Sequence, residues 1–165
     1  MRIGIIYTTT NKSTKKSCKI LERKVNAEVQ LIPIDLAKND CIIKYNFLIL
    51  AASALNGNVQ SSLKRYISKN MKNLKEKPLG LIINCEEDKN RFNDTFSEEL
   101  VNSSNIYSNF GYELDANEGN FFKKIKTNKI IEKYQDLDME LPSLNISEID
   151  KFADYMNNLI EKRVD

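Results

Sequence analysis

Between positions 8 and 14 the chain reads Thr8, Thr9, Thr10, Asn11, Lys12, Ser13, Thr14: four threonine hydroxyls and one serine hydroxyl, with no Asp, Glu, Cys or His among them. Rotatable O–H donors in such a run can meet several oxygens of one anion, a phosphate above all. The Lys12 ammonium adds a compact point charge. Histidine is absent from all 165 residues, which removes Ser–His and Cys–His nucleophiles, imidazole bases and His metal ligands. Chemistry must then come from a bound group, and the residues of interest are those that hold it. Two further stretches end apolar runs with polar or reactive groups: Ser53, Ala54, Leu55, Asn56, Gly57 and Asn84, Cys85, Glu86. Cys85 is a possible redox thiol, but Glu86 and Glu87 beside it disfavour the thiolate, which leaves a tolerated buried cysteine and a solvated acidic loop as the plainer reading.

These residues need elements that bring them together. Arg2–Tyr7, Glu28–Ile34, Phe47–Ser53 and Leu79–Asn84 are short, apolar and β-branched, as expected of buried strands, and Ser108–Ala116 reads as a weaker fifth. Pro33 in the second strand needs that strand's end or an edge position. Thr14, Cys18, Leu21 and Val25 share one face of a first helix with Ser13 as its N-cap. Asp35–Asn46 is a connection with at most a short helix. Val59, Leu63, Tyr66, Ile67, Met71 and Leu74 mark a long helix that Pro78 closes. Thr95 and Glu98 have capping-box spacing before a helix carrying Phe96, Leu100 and Val101. The last helix runs from Ile146 to Ile160, with Asn145 as N-cap and Glu148 three residues on.

Apolar strands alternating with helices imply an α/β doubly wound fold. Five strands suit a parallel sheet in order 2-1-3-4-5, with its ligand crevice at the strands' carboxyl ends near strands 1 and 3. The three stretches above converge there, and the region after Tyr112 is expected to reach it as well. The threonine-rich loop would enter a helix N-terminus, whose N–H groups favour an anion. The alternative is that its hydroxyls only cap the helix and fill the turn.

Length allows one domain with one sizeable core. A net charge of +2 gives no electrostatic footprint for nucleic acid, and no nucleic-acid partner is expected. No run approaches the roughly 20 apolar residues of a membrane span, and the start of the chain is not a signal peptide. Three cysteines, an odd number without metal-like spacing, point to a reducing cytoplasm. Residues 117–143 form a late insertion whose periodicity blurs. Within it, 121–134 mixes Phe121, Phe122, Ile125, Ile130, Ile131 and Tyr134 with five lysines. That mixture suits an anionic membrane surface. The apolar positions keep no single helical face, so the plainer reading is an excursion that packs its aromatics on the sheet edge. Long insertions at the carboxyl edge tend to be functional, and this one is expected to border the site opening with Phe121, Phe122 and Tyr134.

Other nucleotide sites fail on specific residues. There is no glycine-rich dinucleotide fingerprint and no Gly-Lys-Ser/Thr phosphate loop. A receiver domain would need an acidic cluster where Thr8–Thr10 stand and an Asp in place of Ser53. The run Thr9, Thr10, Asn11, Lys12, Ser13, Thr14 instead resembles the S/T-x-T-G-x-T phosphate loop of the flavodoxin superfamily. "LILAASALNGN" and the insertion before "ISEIDKFADYMNNLI" are similar to the menaquinone-dependent, flavodoxin-type protoporphyrinogen oxidases and their relatives. The resemblance implies one flavodoxin-like three-layer sandwich over 1–165, binding FMN. Thr9, Asn11, Ser13 and Thr14 would hold the phosphate, with Thr8, Thr10 and Lys12 beside them. Ser53, Ala54, Leu55, Asn56 and Gly57 would flank ribityl and ring on one side, and Asn84, Cys85 and Glu86 on the other.

The resemblance also implies a redox partner protein or a quinone, and a cytoplasmic protein, with peripheral contact at the inner face of the membrane through 121–134. Two departures stand out: Lys12 replaces the loop glycine, as a strained substitute, as a phosphate contact or as a solvated loop lysine, and neither ring-flanking loop offers an aromatic. They motivate an alternative, a flavodoxin-like domain that has lost FMN and binds a partner or another anion without being an enzyme.

Overall fold

The computed structural model describes residues 1–8, 12–38, 40–54, 60–86, 91–117 and 120–162. Its strands are β1 (Arg2–Tyr7), β2 (Glu28–Pro33), β3 (Phe47–Ser53), β4 (Leu79–Asn84) and β5 (Ile106–Asn109). All pair in parallel, in the order β2-β1-β3-β4-β5. β1 is therefore flanked on both sides: Ile5 lies opposite Leu31 in β2 and Ile49 in β3. Pro33 takes the last position of the edge strand, where its missing N–H costs no ladder bond. The fifth strand starts two residues earlier than Ser108 and ends at Asn109, because Gly111 leaves the sheet with φ +65°.

The helices are α1 (Ser13–Lys24), α2 (Cys41–Lys44), α3 (Ser61–Lys75), α4 (Arg91–Phe96), α5 (Glu98–Ser103), α6 (Phe121–Asp136) and α7 (Ile146–Glu161). Alternation along each strand divides the core in two. Ile3, Ile5, Phe47, Ile49 and Ile82 pack with Cys18 and Leu21 of α1 and with Ile149, Phe152 and Met156 of α7. Ile6, Leu48, Leu50, Leu81 and Ile83 pack with Leu63, Ile67 and Leu74 of α3 and with Phe96 and Leu100. Both sheet faces are covered, so β3 is buried at every position. Each such Leu, Ile or Phe contributes roughly 1.5–3 kcal/mol of burial.

Three local expectations change. The N-cap of α1 is Lys12, without a side-chain capping bond, and Ser13 is the first helical residue. Thr95 does not cap a helix: it lies within α4, and Ser97, at φ +70°, separates α4 from α5. The blurred stretch contains the 16-residue helix α6. At about 100° per residue its apolar side chains form two narrow arcs on opposite sides. Thr127, Ile130, Ile131 and Tyr134 are half-buried towards the body. Phe121, Phe122 and Ile125 face outward, 71%, 80% and 40% exposed, so these aromatics do not pack on the sheet edge. At the end of the excursion, Asn145 caps α7 as its spacing predicts, accepting the Glu148 N–H at 3.2 Å.

Candidate functional site at the strand carboxyl ends

β1, β3 and β4 end side by side, which places Thr8, Ser53–Ala54 and Asn84–Glu86 next to one another. The Thr8 N–H donates to the Ala51 carbonyl at 2.9 Å, and the Ala54 N–H to the Asn84 carbonyl at 3.2 Å. Ser53 lies opposite Asn84 in the ladder. Thr8, Ser13, Thr14, Ser53 and Asn84 are all buried, an unusual concentration of polar side chains away from water. Among the described residues Thr8 Oγ1 and Thr14 Oγ1 have no hydrogen-bond partner. Orphaned buried hydroxyls cost about 1–3 kcal/mol each unless something accepts from them. Thr14 sits in the first turn of α1, where the N–H groups have no intrahelical acceptor and the dipole is positive. An anion there satisfies both demands.

The other predicted residues divide by what they already do. The Ser13 hydroxyl faces the strand-β5 side: it donates to the Glu113 carbonyl at 3.2 Å and accepts the Glu113 N–H at 3.1 Å. Lys16 adds an ion pair to the Glu113 carboxylate at 2.7 Å. The side chain of Asn84 is engaged at both ends, accepting from Ser17 Oγ at 3.2 Å and donating to the Gly111 carbonyl at 2.7 Å. It ties α1 to the end of β5. Cys85 is buried, and Asn109 clamps its backbone, Oδ1 accepting the Cys85 N–H at 3.4 Å and Nδ2 donating to its carbonyl at 3.2 Å. Glu86 is exposed, and one carboxylate oxygen accepts the Tyr112 hydroxyl at 2.7 Å. Thr9, Thr10, Asn11, Leu55, Asn56 and Gly57 lie outside the described residues.

Ser17 and Asn109 join the site without having been singled out by sequence, and Tyr112 and Glu113 begin the region expected to reach it. Ser17 alone carried a signal, a polar residue three positions after Thr14 on the helix's apolar face. Burial pushes the Cys18 thiol up to about 12, which leaves it inert beneath the cradle. Tyr134 lines a cavity beside Tyr112, Cys85 and Glu86, and Phe121 and Phe122 are not among its lining residues.

A family model for the flavodoxin domain matches residues 4–139. The chain belongs to the flavodoxin domain family. Flavodoxins share its architecture at low identity. The two-electron reduced flavodoxin of Megasphaera elsdenii is 16% identical, over 66% of this chain and 82% of that one, with a TM-score of 0.54. A short-chain flavodoxin associated with a non-canonical PDU bacterial microcompartment is 15% identical, over 80% and 95%, also at 0.54. A flavodoxin from the domain Archaea is 10% identical, over 79% and 93%, at 0.53. At such identities the likeness shows the fold. No curated protein matches the chain significantly. No helix among the described residues is long and apolar enough to cross a membrane. Among those residues no group of three or more Cys, Asp or Glu could hold a metal ion.

Lys12, standing where the flavodoxin loop has glycine, takes φ −73° and ψ −10°, a backbone that any residue adopts. It is not a strained replacement for glycine. Lys12→Gly is therefore expected to lose up to about 1 kcal/mol of stability to backbone entropy. If the ammonium contacts the phosphate, the variant should also bind FMN more weakly, with a difference that shrinks as salt screens the charge. Isothermal titration of both proteins at low and high ionic strength measures this. An affinity difference that salt leaves unchanged would exclude a charge contact from Lys12.

Proposed function

We propose that this flavodoxin-family chain binds FMN and serves as an oxidoreductase or electron carrier. The observation that carries the reading is the pair of orphaned buried hydroxyls, Thr8 Oγ1 and Thr14 Oγ1, at the head of α1 where β1 meets β3. They fit the phosphate: two donors await acceptors, and the helix dipole supports the charge. Thr9, Thr10, Asn11 and Lys12 complete the cradle in this reading, and Ser53 to Gly57 with Cys85 and Glu86 border ribityl and ring. Asn84 and Ser13 act one step behind, holding α1 against the end of β5. FMN supplies the electron chemistry when bound; the chain binds, orients and shields it.

The electron partner is a redox protein or a quinone. The insertion before the last helix supports kinship with the quinone-using, protoporphyrinogen-oxidase-like subgroup, and a net charge of +2 differs from a strongly acidic free carrier. The odd count of three cysteines supports a cytoplasmic location in this reading. A second reading, an FMN-less anion- or partner-binding module, is favoured by one feature: no aromatic stands among Leu55, Asn56, Gly57 or Asn84–Glu86 to stack on a ring. Titrating purified, flavin-stripped protein with FMN separates the two. Quenching of flavin fluorescence at micromolar FMN supports the cofactor. Protein that takes up none at millimolar FMN sinks the flavin reading, and phosphate binding by the same protein would then support the module.

A further inference from the structure

The outer face of α3 carries a charge that the rest of the chain does not share. Six of the chain's 25 basic residues and none of its 23 acidic ones lie between positions 41 and 75, which leaves 19 against 23 elsewhere. Five of the six, Lys64, Arg65, Lys69, Lys72 and Lys75, are exposed on α3. At about 100° per residue they share an arc of roughly 140°, opposite the buried Leu63, Tyr66, Ile67, Asn70 and Leu74. Arg65, Lys69 and Lys72 follow one another at i+4 and i+3 spacing, and none of the three has an ion-pair partner among the described residues. Lys75 pairs with Glu99 of α5, and Lys64 stands beside Asp94 in the wall of a small cavity. α1 is as rich in Lys and Arg, but it holds Glu22, and its Lys16 and Lys24 are answered by Glu113 at 2.7 Å and Asp150 at 2.6 Å. Like charges at i+3 and i+4 weaken a helix. The stripe on α3 therefore costs the fold, and a negative surface brought from outside turns that cost into a gain.

We propose that the Arg65–Lys69–Lys72 stripe docks a small acidic protein, one that presents a cluster of Asp and Glu side chains. The partner's redox role rests on the electron-carrier reading; the docking is a matter of charge alone. α3 follows the carboxyl end of β3 and returns to the start of β4, so Lys64 and Arg65 are the stripe's nearest residues to the candidate site. A partner steered onto the stripe is held beside that site. The surface favours a protein over other polyanions. No large apolar side chain of α3 is exposed, so the face has nothing to insert into a lipid surface. It has no exposed aromatic to stack on a base, and Asp94, Glu98 and Glu99 of the neighbouring α4 and α5 confine the positive field to one helix. Ser61 and Ser68 fill the arc between the cations. Such a polar, apolar-free interface forms quickly under electrostatic steering and releases as readily, which suits a transient encounter.

Isothermal titration of the full chain, with and without added FMN, tests this with an acidic plant-type ferredoxin as the probe and a basic cytochrome c as its opposite. The ferredoxin should bind at low ionic strength and weaken steeply as salt is added, and the cytochrome should not bind. Combining Arg65→Gln, Lys69→Gln and Lys72→Gln should weaken the ferredoxin about tenfold at low salt, and the difference should shrink to about twofold at high salt. The charge-matched control, Lys15→Gln, Lys19→Gln and Arg23→Gln on α1, should stay within about twofold of the parent. All six side chains are exposed, so both variants keep the fold, which circular dichroism checks. No ferredoxin binding, or an equal loss in the α1 control, would overturn the proposal. Tighter α3-dependent binding to phosphatidylserine vesicles or to duplex DNA would overturn it too, and would assign the face to a membrane or to nucleic acid. A chain that takes up no FMN yet binds ferredoxin through α3 keeps the docking surface and loses only the carrier reading.

Discussion

Replacing Thr14 by valine is expected to make the FMN-free protein more stable and its FMN complex weaker. Valine keeps the shape and branching of threonine, so the packing of α1 against β1 and β3 is retained. It removes a fully buried hydroxyl that has no partner among the described residues. Relief of that group is worth about 1 kcal/mol, or roughly 2–4 °C in melting temperature at this chain length. A phosphate bound at the same place would lose one charge-assisted hydrogen bond, about 1–3 kcal/mol and so roughly 5- to 150-fold in affinity. The two signs are opposite, which distinguishes a ligand-directed hydroxyl from a structural one. Thr8→Val should repeat the pattern, and the double variant should lose less than the sum if both hydroxyls meet one phosphate. Calorimetry with and without FMN reads both quantities. A Thr14→Val protein that is less stable and binds FMN as well as the parent would remove Thr14 from the cradle.

The layer structure could be read from the chain because each strand and most helices announce themselves by one periodicity. β3 is apolar throughout since both sheet faces are covered, and Thr14, Cys18, Leu21 and Val25 repeat at helical spacing because only one face of α1 meets the core. α6 hid for the complementary reason. Ile130 and Tyr134 look inward while Phe121, Phe122 and Ile125 look outward, so the 3.6-residue signal cancels although the segment is helical. Its lysines gave a charge signal without an orientation, and Tyr134, not Phe121 or Phe122, lines the cavity beside Glu86.

The candidate site was half readable. Hydroxyls after β1 have a local pattern and a local reason, the helix N-terminus they precede. Asn84 could be placed at a strand end but its role could not be read: its side-chain hydrogen bonds go to Ser17 and Gly111, distant in sequence and joined only by the sheet order. Lys12 shows the limit of motif reading. A glycine in a pattern suggests a backbone need, yet the observed φ of −73° carries none.

Gly111 does carry such a need, and Gly111→Val is expected to be the most damaging single change near the site. Its φ of +65° is left-handed, which costs a residue with a Cβ about 1–2 kcal/mol. A Cβ there would also lie 2.5 Å from the Ser143 carbonyl oxygen and 3.1 Å from the Asn145 nitrogen, both backbone atoms that cannot swing aside. Forced overpacking of this kind costs about 1–3 kcal/mol more. The contact cannot simply relax, because it closes the base of the late excursion. Gly111 bridges Leu144, and the Asn145 N–H donates to the Phe110 carbonyl at 2.9 Å. The Gly111 carbonyl is also the acceptor for Asn84, so displacement reaches α1 through Ser17. The sum, roughly 2–5 kcal/mol, corresponds to about 5–15 °C of melting temperature. Gly111→Asn separates the causes, since asparagine tolerates the left-handed region but meets the same Ser143 oxygen. If the close approach dominates, Asn and Val are nearly equally harmful; if backbone strain dominates, Asn recovers most of the loss. In either case FMN affinity should fall with stability, because the residues behind the cradle shift with the bridge. A Gly111→Val protein that melts within a degree or two of the parent would show that the excursion is not anchored there.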